Sequence, residues 1–105
     1  MIEFDGNEGE EFPLEVASKW TANYRKSNPK GIKARFFGTR LILRILGQRN
    51  CVGMRTYYAL DGEGLEQMIL VGVDKKGNDL FEGIIGERSI PCPNYCDDGK
   101  SPLNG

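Results

Sequence analysis

Three cysteines carry the most versatile chemistry in this sequence. Cys92 and Cys96 bracket Pro93-Asn94-Tyr95, and Cys51 stands alone upstream. Pro followed by Asn suits a tight turn that brings the two flanking sulfurs close. Three outcomes fit this spacing. Cys51, Cys92 and Cys96, with Asp97 or Asp98 as a fourth ligand, make a donor set for zinc. A disulfide can join Cys92 to Cys96, or Cys51 to either. Alternatively, Cys51 is a small buried apolar residue and the other two only anchor the chain end. The sequence contains no His, so it offers no imidazole ligand and no Ser–His or Cys–His nucleophile pair. Glu82, Glu87, Asp97 and Asp98 supply carboxylates, but no spacing marks two of them as an acid–base pair. The residue inventory argues against an enzyme.

Charge is the second source of chemistry. The net charge is −1, and it hides three blocks. Residues 1–12 hold five acids and no base, a net of −5; residues 13–55 hold ten bases against Glu15, a net of +9; residues 56–105 return to −5. Sorted blocks of this kind can give opposed surface potentials. The cations, with Tyr24, Phe36 and Phe37 for stacking, could follow a phosphate backbone, but the acidic flanks argue against nucleic acid. The pattern favours a protein that sticks to another copy of itself or to another protein. Arg40, Leu43 and Arg44, with Lys26 and Lys30, are the candidate contact residues, and the acidic arm is the natural reaching element. No cofactor is expected beyond the zinc alternative.

These groups need elements to hold them. Residues 1–12 read as an acidic arm and residues 13–105 as one domain. Pro13 suits a first helical turn, and Leu14, Ala17, Trp20, Thr21 and Tyr24 share a helical face, so a helix is expected over about 13–27. Residues 36–46 fit either period. Thr39 as N-cap and Gly47 past the end favour a helix, which leaves Leu43 outward between Arg40 and Arg44. From Cys51 the period becomes two, and two strands follow, joined at Asp61-Gly62-Glu63-Gly64. After a second turn at 74–79, Leu80–Ile85 reads as a third strand or a short helix, weakened by Gly83. The oxygens of the two turns do not follow a calcium-loop order. The expected fold is α+β: two N-terminal helices packed on a small antiparallel sheet of two to three strands, with an irregular C-terminal tail. No stretch is long and apolar enough to span a membrane, and the acidic start is not a secretory signal.

Trp20 to Arg25, Cys51 to Tyr58, Leu70 to Asp74 and above all Cys92-Pro93-Asn94-Tyr95-Cys96 resemble a group of small uncharacterised bacterial proteins of this length. Arg40 and Arg44 stand where that group carries acids. The resemblance implies a bacterial, soluble protein and supplies no catalytic residue; a cytoplasmic location is expected.

Overall fold

The structure, a computed structural model, describes residues 3–104. It is α+β, with helices α1 (Leu14–Ser27) and α2 (Thr39–Leu46) and strands β1 (Ala34–Phe36), β2 (Gly53–Leu60), β3 (Glu66–Val73), β4 (Ile85–Gly86) and β5 (Ile90–Cys92). Two compact units are built from interleaved stretches: residues 3–8 with 37–89, and residues 9–36 with 90–104.

The first unit is a three-stranded antiparallel sheet in the order β2-β3-β4, with α2 against all three strands. The β2–β3 hairpin runs in register from Gly53 opposite Val73 to Leu60 opposite Glu66. Its turn is made by Asp61, whose Oδ1 accepts the N–H groups of Glu63 (2.8 Å) and Leu65 (3.0 Å), while Gly64 takes φ +81°. The next turn repeats the device. Asp74 Oδ1 accepts the N–H groups of Lys76 and Asn78, and Gly77 takes φ +83°. In both, the aspartate replaces missing backbone partners and glycine supplies the left-handed step. The turn oxygens are therefore occupied by their own backbone.

The core of this unit is small. Ile45 is fully buried against Leu70 on the α2 side of the sheet, while Val71 and Val73, at the alternate positions of β3, are buried on its other face. A Cβ at Gly86 would lie 3.0 Å from Leu41 and 3.2 Å from Ile45 and Leu70, so the helix sits directly on that glycine. Gln48, just past α2, ties the helix to the far loop: its Nε2 donates to the Ile45 carbonyl (2.9 Å) and its Oε1 accepts the Ile84 N–H (2.8 Å). Residues 3–8 are not loose. The Phe4 N–H donates to the Lys75 carbonyl at 2.8 Å, and the Phe4 ring lies on Gly77 and under the Arg55 guanidinium.

The second unit holds α1, the β1–β5 pair and the C-terminal segment. Strands β1 and β5 are antiparallel, with Ala34 opposite Cys92 and Phe36 opposite Ile90. Asp97 Oδ1 accepts three successive backbone N–H groups, from Gly99, Lys100 and Ser101. Arg25 Nη1 donates to the Leu103 carbonyl at 2.7 Å.

Several expectations need correction. α2 packs on the three-stranded sheet, while α1 lies in the other unit and buries none of its residues fully. Trp20 on its apolar face remains 60% exposed and meets the Phe12 ring, with centroids 4.7 Å apart. Gly38, rather than Thr39, is the N-cap of α2. The third strand shrinks to an isolated bridge at Asp79 and the two residues of β4, because a turn intervenes at Gly83. The tail expected to be irregular contains β5, which pairs with the unforeseen β1.

Candidate interaction surface

Helix α2 presents its apolar stripe to the sheet, so its opposite face must look outward. Arg40, Leu43 and Arg44 lie on that outward face, and Leu43 is 60% exposed. Lys26 and Lys30, at the end of α1 and in the loop beyond it, are exposed in the second unit. None of these four cations has an ion-pair partner among the described residues, and neither do Glu10 and Glu11. The five candidate contact residues are thus divided between the units, three on one and two on the other.

The three cysteines are divided in the same way. Cys92 and Cys96 are joined as a disulfide, while Cys51 is free in the first unit, its Sγ donating to the Gly53 carbonyl. Among the described residues, no three His, Cys, Asp or Glu side chains gather into a metal-ligating group. The disulfide lines a cavity of about 280 Å³ in the second unit, together with Lys33, Phe36, Tyr95 and Leu103.

Sequence reasoning missed one cluster. On the sheet face opposite α2, Arg55 Nη1 donates to Asp79 Oδ1 (2.6 Å) and to the Gly77 carbonyl (3.1 Å), and the Tyr57 hydroxyl donates a short hydrogen bond to Asp79 Oδ2. The Tyr57 hydroxyl and then Arg55 hold the Asp79 carboxyl below its ordinary value. The same bond to Asp79 pushes the Tyr57 phenol up. The signal was present in the alternation Arg55-Thr56-Tyr57, which puts both side chains on one face two residues apart. The partner, Asp79, is brought in by a turn of unknown geometry at the sequence level. With both carboxylate oxygens bonded and the phenol protonated, the cluster is a brace across the sheet and offers no free base.

Strand β2 is an edge. It pairs with β3 on one side and, among the described residues, its other side has no backbone partner. Met54, Thr56, Tyr58 and Leu60 alternate along it on the α2 side of the sheet and are all exposed, Tyr58 at 86% and Leu60 at 71%.

No family model matches this chain, and neither a curated protein nor a solved structure matches it. Among the described residues, no helix is long and apolar enough to cross a membrane.

Proposed function

We propose that this chain is a non-enzymatic interaction and assembly protein that associates with a second copy through complementary charged faces. The observation that carries the reading is that, among the described residues, Arg40, Arg44, Lys26 and Lys30 have no ion-pair partner, and neither have Glu10 and Glu11. A solvated charge without a partner gains from meeting the opposite sign, and segregated blocks let one copy's acidic segment meet another copy's cations. Leu43, exposed between Arg40 and Arg44, supplies the apolar centre that a charged rim surrounds. The test is sedimentation equilibrium across ionic strength. Raising salt from about 0.01 M to about 1 M shortens the screening length from about 30 Å to about 3 Å. Association through charged faces weakens steeply over that range, and Arg40→Glu with Arg44→Glu abolishes it at low salt. A protein that remains monomeric at low salt and high concentration refutes the reading.

A second reading rests on the Cys92–Cys96 bond and assigns a redox role to that pair alone. A dithiol reductant would break the S–S bond, leaving two thiols here and becoming a disulfide itself. Alkylation followed by intact-mass measurement decides it. One alkylated cysteine before treatment with dithiothreitol and three after it is the expected count; three labelled cysteines before reduction defeats it.

A further inference from the structure

We infer that the free edge of β2 pairs antiparallel with β2 of a second copy, joining the two three-stranded sheets into one of six strands. An eight-residue edge is long, and natural sheets guard such edges with Pro, lysines, bulges or inward charges. Gly53–Leu60 contains no Pro and no Lys, and its lone charge, Arg55, is held by Asp79. The unguarded edge therefore offers a full row of backbone donors and acceptors to another strand. The side chains beside it are also suited to burial, since Met54, Tyr58 and Leu60 are large, apolar and exposed.

The occupant follows from the charges. A two-fold axis at Thr56 sets Thr56 opposite Thr56 of the second copy, Met54 opposite Tyr58, and Arg55 opposite Tyr57. Arg55 then faces the phenol that already carries an Asp79 carboxylate in the other copy, so cation meets anion-bearing partner on one face and Met meets aromatic ring on the other. An axis one residue earlier would set Arg55 against Arg55, which like-charge repulsion disfavours. The strand is thus complementary to itself in one register, in both backbone and charge. This surface is separate from the cations of α2: high salt removes that association and leaves this one, so either can fail alone.

Thr56 is exposed and central, which makes it the test position. Sedimentation equilibrium in high salt should give a dimer for the wild type. The charge variants are read at about 0.15 M salt, where the screening length of about 8 Å exceeds the spacing of paired strands. In an Arg40→Glu, Arg44→Glu background that removes the other association, Thr56→Lys and Thr56→Glu, each alone, should weaken the dimer by roughly fivefold or more, because identical charges face one another across the axis. An equimolar mixture of the two should recover the dimer as a heterodimer. Hydrogen exchange on the wild type gives a second readout that needs no variant: amides of β2 should gain protection as concentration rises. A wild type monomeric in high salt, a T56K protein that dimerises undiminished, a mixture that fails to recover, or β2 amides indifferent to concentration each overturns the inference; the first of these would leave the edge to an extended segment of another protein.

Discussion

Aspartates do much of the local construction in this protein. Asp61, Asp74 and Asp97 each place one oxygen against two or three nearby backbone N–H groups, and Asp79 divides its two oxygens between Arg55 and Tyr57. Three donated N–H bonds, that of Ser101 first, hold the Asp97 carboxyl below its ordinary value, and the Asn7 N–H does the same for Asp5. A depressed carboxyl contributes stability that is present above the unfolded-state value and is lost as pH falls through the folded one. Stability should therefore decline below about pH 4. Tyr57 has the opposite sense: its raised phenol contributes stability below about pH 10 that is lost as pH climbs through the folded value. Denaturant melts at a series of pH values check both limits, and ultraviolet titration should show a tyrosine ionising above the ordinary phenol value, lost in Tyr57→Phe. Tyr57→Phe, which removes one donor, should lower stability slightly and lift the Asp79 carboxyl toward its ordinary value.

At the scale of elements, the most sensitive contact is between α2 and the sheet. Ile45 is fully buried in a core with few members, so Ile45→Ala should cost about 2–5 kcal/mol and unfold much of the first unit at room temperature. Gly83 is a finer probe. A Cβ there would clash with Gln48 Oε1, the atom that accepts the Ile84 N–H. Gly83→Ala should therefore displace Gln48 and cost about 1–3 kcal/mol, measured by urea denaturation, with the loss largely absent in a Gln48→Ala background. The β2–β3 hairpin was legible in the sequence from its period of two and its turn at Asp61 with Gly64, whereas α2, whose residues fit either period, was legible from its end signals, Gly47 above all. The short pieces were not. Strands β1, β4 and β5 span three, two and three residues, too few for alternation to emerge, and β1 exists because residues 90–92 come back to pair with it. The apolar stripe of α1 was visible, but a stripe says only which face prefers cover, not whether cover is found. Cys92 and Cys96 illustrate the same gap: their spacing admitted a bond, and only the return of the chain at Cys96 selected one of the open pairings.

At the scale of the whole molecule, the three charge blocks of the sequence do not become three bodies. The acidic start is divided, with residues 3–8 in one unit and 9–12 in the other, and the basic block is divided after Phe36. Arg55 of that block is bonded to a carboxylate, at Asp79. Neutralisation is local there, while Lys26, Lys30, Arg40 and Arg44 remain open to partners. Light scattering in rising salt should show assembly falling in the wild type and already low in Lys26→Glu with Lys30→Glu, since each pair of cations contributes to the same field.

The interleaving of the two units also constrains the order in which the polypeptide can be finished. Phe4 leaves the ribosome early yet must wait for Lys75 and Gly77 to emerge before it has a seat. The stretch through α1 waits longer still, for β1 has no strand to bind until residues 90–92 appear. Neither unit can close until residues 75–92 have been made, so the apolar side chains of the earlier residues stay uncovered up to that point.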